Sequence, residues 1–147
     1  MAFFHHIAAF SLFSALIYQG IVIRKPFTQQ TAQSLIKSDQ LYGLSALTIL
    51  LVGFARVLYL EKGAAFYFHS MPFIIKISLF VLIGILSIYP SVTFFSWRTT
   101  IKKHQFPDVS LTTLTRIRRV IYIEVAALIA VILCAAMMAK GVGYIAY

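Results

Sequence analysis

The chain has 147 residues, of which 61% are hydrophobic and 12% are charged. A water-soluble domain of this size needs more polar surface than that. The net charge of +9 at neutral pH would suit nucleic acid, but the basic residues flank long apolar runs, where they would face phospholipid headgroups. These features exclude a soluble nucleic-acid-binding domain and predict an integral membrane protein whose first partner is the lipid bilayer.

Four apolar runs occupy most of the chain, at residues 3–23, 40–60, 72–97 and 118–139. A helix rises about 1.5 Å per residue and needs around 20 apolar residues to cross the hydrocarbon core, and each run meets that length. Only Met1 and Ala2 precede the first run, so it lacks the basic start of a cleaved signal peptide and is interpreted as a helix of the mature protein. The sequence therefore predicts an all-α, four-helix transmembrane bundle that forms a single domain over residues 1–147.

Basic residues are concentrated on one side of the predicted bundle. If the chain crosses the membrane at every run, nine of them share the side that follows the first and third runs: Arg24, Lys25, Lys37, Arg98, Lys102, Lys103, Arg116, Arg118 and Arg119. The opposite side has Lys62 and Lys140. Because positively charged loops tend to stay in the cytoplasm, this bias predicts a multi-pass protein of the bacterial inner membrane with both termini outside, in the periplasm.

Local signals predict where the helices begin, end and bend. Residues 27–39 are expected to form a short interfacial helix or turn, with Asp39 as the N-terminal cap of the second helix. Residues 99–114 are expected to form a loop on the basic side. Pro90 lies within the third run and should bend that helix or loosen one of its backbone hydrogen bonds.

One face of the second helix is small and polar. Steps of three and four residues place six side chains on it: Asp39, Tyr42, Ala46, Ile49, Gly53 and Arg56. A stripe of this kind should face protein rather than lipid. Arg56 and Lys76 then lie at similar depth in the outer half, where they either extend to the membrane surface or hold an anion.

Histidines in the predicted outer half are candidate ligands for a cofactor. His5 and His6 lie at the start of the first helix, with His5 on the more inward face, and His69 precedes the third helix. Imidazole is the usual axial ligand of haem iron, and Arg56 with Lys76 can pair with the two haem propionates. These five residues predict a site for haem b or another redox or metal cofactor, although the chain has no fixed-spacing haem motif.

A second group of polar residues lies in the predicted inner half, around Glu124, about one turn inside the fourth helix. In one interpretation Glu124 forms an ion pair with a nearby arginine: Arg98, Arg118 or Arg119. In the other it transfers protons together with Tyr42 and Asp39, because ionisable groups inside a membrane are costly and are often functional. The sequence leaves both interpretations open.

Three functions remain open on the sequence. The first is a membrane protein that binds haem b or another redox or metal cofactor in its outer half. The second is a non-enzymatic protein that associates with itself, and the third is a carrier of small solutes or protons that uses Glu124 and Lys76. No nucleotide-binding, zinc-protease or serine-hydrolase motif is present, so an oxidoreductase role would require the haem. The expected partners are a second copy of the chain or a membrane redox protein.

The chain resembles a bacterial membrane-protein family catalogued as domain of unknown function 2214. The resemblance is carried by HHIAAF, DQLYGLSALTILLVGFAR, KGAAFYFHSMPFIIK, LSIYPSVTFFSW, RIRRVIYIEVAAL and MMAKGVG. It implies a four-helix membrane fold and no established activity. A more distant likeness to the membrane protoporphyrinogen oxidase family, in which an early-helix His and a later-helix Lys matter for haem binding, implies such roles for His5 or His6 and for Lys76.

Overall fold

The computed structural model describes residues 2–55 and 71–140, and helices account for most of them. Their bounds are α1 Ala2–Val22, α2 Gln29–Ala55, α3 Met71–Lys102 and α4 Leu111–Ala139. All four helices are long and apolar enough to cross a membrane. The predicted all-α fold with four membrane-spanning helices is therefore confirmed, while the side on which the termini lie stays a prediction.

The four helices pack side by side, and each contacts its neighbours in the chain. The pairs α1 with α2 and α3 with α4 share the largest contacts, α2 packs against α3, and α4 packs back against α1. Large apolar side chains from all four helices fill the core: Leu12, Leu16, Leu35, Ile83, Phe94, Ile117 and Ile121. Many other Leu, Ile and Phe side chains remain exposed on the outside of the bundle, which is expected where lipid is the solvent.

The second helix begins well before the apolar run predicted at residues 40–60. Thr28 caps it, because its Oγ1 accepts a hydrogen bond from the backbone N–H of Thr31 at 3.2 Å. The prediction that Asp39 caps this helix is wrong, since Asp39 lies inside α2. Residues 29–39 thus continue the membrane helix instead of forming a separate interfacial element.

The loop between α3 and α4 is shorter than predicted, covering residues 103–110 rather than 99–114. His104 has a φ of 57°, the left-handed conformation in which many helices end. Ser110 caps α4 by accepting a hydrogen bond from the backbone N–H of Thr113 at 3.2 Å. Polar caps, rather than the limits of the apolar runs, therefore set the ends of the helices.

The loops that follow α1 and α3 lie at the same end of the bundle. The ring of Phe27 packs edge-on against Trp97, with centroids 5.0 Å apart, and against Phe106 at 5.6 Å. We call this end, formed by residues 23–28 and 103–110 with the adjoining helix turns, the basic end. It brings together the two basic segments that the charge pattern predicts on one side.

A glycine lets α1 and α4 approach each other closely. A Cβ atom built on Gly20 would lie 3.6 Å from Cγ2 of Ile121, an ordinary contact that leaves no room for a longer side chain. Nearby, the Arg24 guanidinium donates a hydrogen bond to the Tyr122 hydroxyl and lies 5.3 Å from the centroid of its ring. The contact between these two helices therefore depends on the small size of residue 20.

Gly20→Leu is expected to lower the free energy of unfolding by about 1–3 kcal/mol, because the added side chain overpacks the contact with Ile121. Gly43→Leu is the matched control, since nothing lies within 4 Å of a Cβ built at that position. Unfolding in mixed micelles with increasing denaturing detergent measures both. Equal stabilities of the two variants would show that α1 and α4 do not pack closely at Gly20.

Candidate functional site

Polar side chains from three helices lie near one another in the bundle. Ser91 Oγ donates a hydrogen bond to Asp39 Oδ1 at 2.8 Å. Tyr42, which is 5% exposed, forms a side-chain hydrogen bond with Ser87. Glu124 is 1% exposed and interacts electrostatically with both Tyr42 and Asp39. We call these five residues the polar cluster.

The spacing of these residues along each helix brings them together. Asp39 and Tyr42 lie three residues apart on α2 and share one face, and Ser87 and Ser91 lie four apart on α3. Because α2 and α3 run in opposite directions, Asp39 meets Ser91 and Tyr42 meets Ser87. Pro90 lies inside α3, as predicted. It is buried, and in sequence it falls between Ser87 and Ser91.

Glu124 is buried without the ion pair considered from the sequence. Its Oε1 is among the buried side-chain atoms without a hydrogen-bond partner in the described part of the chain, and so is Nε2 of Gln19 on α1. The three arginines considered as partners are instead exposed: Arg98, Arg118 and Arg119. Each buried polar atom without a hydrogen-bond partner lowers the free energy of unfolding by on the order of 1–3 kcal/mol. Two such atoms in one bundle therefore indicate a functional role.

A groove on the bundle surface between α2 and α3 reaches the polar cluster. It has a volume of about 350 Å³, and its lining includes Asp39, Ser91 and Arg98 beside apolar residues such as Phe95. A second depression of about 200 Å³ shares Arg98 with it and extends to Lys102. We call the two together the lateral groove. Asp39 is half-buried and lines this groove, whereas Glu124 is enclosed by the bundle.

The polar stripe predicted on α2 faces the interior from Asp39 to Ile49. Tyr42 is buried, and Ala46 and Ile49 pack against the core. A Cβ atom built on Gly53 would meet nothing within 4 Å among the described residues, and Arg56 lies outside them. The helical spacing therefore indicated correctly which side of α2 faces protein.

The residues predicted to hold a cofactor are described only in part. His5 is half-buried and His6 is exposed, in the order expected from the helical projection, and their ring centroids are 6.0 Å apart. Lys76 is half-buried on α3. Arg56 and His69 lie outside the described residues. The haem site therefore stays a prediction, and within the described part of the chain no three metal-ligating side chains come together.

Three polar residues of the bundle were not predicted as functional from the sequence: the buried Gln19, and Ser87 and Ser91 of the polar cluster. Each interrupts an apolar run, which is the signal that could have marked it. A serine in a membrane helix can also satisfy itself on its own backbone, as Ser87 does by donating to the carbonyl of Gly84 at 2.8 Å. Ser91 differs because it donates its hydrogen bond to Asp39 on α2, and only the packing of α3 against α2 reveals this partner.

The fold and the polar cluster define a multi-pass membrane protein with four spans and acidic groups inside its bundle. A family model described as "Predicted membrane protein (DUF2214)" matches residues 1–143, and the chain belongs to this family. The resemblance found in the sequence is thereby confirmed. Comparisons with curated proteins and with solved structures gave no match.

Proposed function

We propose that the protein binds and transfers protons inside the membrane through the polar cluster. The observation that carries this proposal is the presence of two carboxyl groups, Asp39 and Glu124, inside the bundle and within electrostatic range of each other. The chain has just four acidic residues, and two of them, Asp39 and Glu124, lie inside the described membrane-spanning helices. One buried carboxylate is costly, and two within electrostatic range of each other disfavour the ionisation of both, so one of them tends to hold a proton.

The different accessibility of the two carboxyl groups supports a direction of transfer. Asp39 lines the lateral groove, so a proton entering from the basic end reaches it first. Tyr42 lies within electrostatic range of both Asp39 and Glu124, and a phenol can accept one proton while donating another. Glu124 is the enclosed acceptor at the end of this path. An accessible group, a hydroxyl relay and an enclosed group form a short proton pathway.

Proton flux into proteoliposomes tests this proposal. The purified protein is reconstituted around a pH-sensitive dye, and a potassium diffusion potential drives proton entry. Asp39→Asn and Glu124→Gln are each expected to reduce the flux by roughly tenfold or more, because an amide cannot exchange the proton. Asp108→Asn is the matched control, since this acid lies exposed in the loop between α3 and α4.

Two results would overturn the proposal. One is a wild-type flux no greater than that of protein-free vesicles. The other is an unchanged flux in both cluster variants. A loss in Asp108→Asn equal to the loss in the cluster variants would point to surface charge instead of the polar cluster.

The basic end is proposed to face the cytoplasm of a bacterial inner membrane, because membrane proteins retain their positively charged segments on that side. Asp39 and the lateral groove would then lie in the cytoplasmic half, with both termini outside. Haem b binding in the outer half and association with a second copy or a redox partner remain separate predictions. Purified protein from haem-replete cells without a Soret absorbance band would exclude the haem.

A further inference from the structure

We propose that the lateral groove binds an anionic phospholipid, with its phosphate at the basic end and an acyl chain along the apolar wall. Three cationic side chains line the part of the groove nearest that end: Lys37 on α2, and Arg98 and Lys102 on α3. All three are exposed, so their charges are available to a ligand. This proposal does not rest on proton transfer.

Helical spacing concentrates donors on this part of the groove. Arg98 and Lys102 lie four residues apart and therefore share a face of α3. The facing wall belongs to α2, where three residues spaced by four and three positions share one face: Gln33, Lys37 and Gln40. Two ammonium groups, one guanidinium and two amides thus surround a depression of about 200 Å³. Such a set of donors suits a phosphate, which accepts several hydrogen bonds and carries negative charge.

The counter-charge for these cations must come largely from outside the chain. The chain has 13 Lys and Arg residues but only four Asp and Glu. Asp39 is the acidic residue in the described lining of the groove, and its Oδ1 accepts its hydrogen bond from Ser91. Anionic headgroups concentrate at the depth where basic residues flank membrane helices, so they are the nearest source of negative charge.

The apolar continuation of the groove favours a lipid over a soluble anion. Beyond Arg98 the groove runs between Ile36, Val92 and Phe95. Phe95 is 66% exposed on the outside of α3, where it would contact an acyl chain. Free phosphate would occupy only the charged part of the groove. An amphiphile matches both parts, with its phosphate head at the cations and its acyl chain against the outward-facing side chains of Val92 and Phe95.

Native mass spectrometry of the full chain in a neutral detergent tests the proposal. We expect 1-palmitoyl-2-oleoyl-phosphatidylglycerol to bind roughly tenfold or more tightly than phosphatidylcholine with the same acyl chains. The double variant Lys37→Gln and Arg98→Gln should lose most of this preference. Lys25→Gln with Arg116→Gln removes the same charge from exposed positions outside the groove and should keep the preference.

Other outcomes would contradict either the specific site or the choice of a lipid as its ligand. Equal binding of the two lipids, or equal losses in the two double variants, would show diffuse attraction to the basic end rather than a site. Displacement of the bound lipid by millimolar inorganic phosphate would assign the groove to a soluble anion. Unfolding in mixed micelles checks that the groove variant is as stable as its control.

Discussion

Glu124→Met is expected to raise the free energy of unfolding by about 1–3 kcal/mol while abolishing proton flux. The gain follows because Oε1 of Glu124 is buried without a hydrogen-bond partner, and an apolar side chain of similar length removes that cost. The loss of flux follows because methionine carries no proton. A residue that is unfavourable for folding but required for activity is typical of a functional site.

Detergent-induced unfolding and dye-loaded proteoliposomes give the two measurements on the same preparation. Glu124→Gln serves as the control, because it removes the exchangeable proton but keeps a polar group in the core. It should abolish flux without the gain in stability. A Glu124→Met protein less stable than the wild type would instead indicate that the carboxyl group has a structural role.

Phe94→Ala is expected to lower the free energy of unfolding by about 3–5 kcal/mol, the usual cost of removing a fully buried aromatic ring. Phe94 is 1% exposed, and its ring centroid lies 5.2 Å from that of Trp97. Trp97 in turn packs against Phe27 from the loop after α1, so the loss of one ring loosens the aromatic contacts at the basic end.

Phe95→Ala provides a close comparison for this prediction. Phe95 is the next residue on the same helix, but its side chain points out of the bundle. Fluorescence of Trp97, the single tryptophan of the chain, follows unfolding directly. If both alanine variants lost the same stability, the aromatic packing at the basic end would contribute nothing beyond contact with lipid.

Apolar runs did not predict where the helices begin and end. Hydropathy identifies the part of a helix that lies in hydrocarbon, whereas a helix itself ends where its backbone groups find other partners. Thr28 and Ser110 provide such partners for α2 and α4. Both helices therefore begin earlier than their apolar runs, and Asp39 becomes an interior residue instead of a cap.

The candidate site was predictable only one helix at a time. Spacing along α2 placed Asp39 and Tyr42 on one face, and in the structure Tyr42 is buried and Asp39 is half-buried. The membership of Ser91 and the burial of Glu124 Oε1 without a hydrogen-bond partner depend on how the helices pack against one another. Periodicity describes one helix face, but it carries no information about which neighbour that face meets.

The sequence by itself determined that this protein is a four-helix membrane protein with its basic segments on one side. Membrane helices need long apolar runs, and the basic residues in the loops beside these runs can be counted directly from the sequence. Tertiary structure alone decided that Glu124 lies within electrostatic range of Asp39 and Tyr42, and that the half-buried Asp39 lines a groove between α2 and α3. The reason is that the rotation and register of each helix are set by contacts such as Gly20 against Ile121. A one-residue turn of a helix moves its polar groups by about 100° without changing its hydropathy.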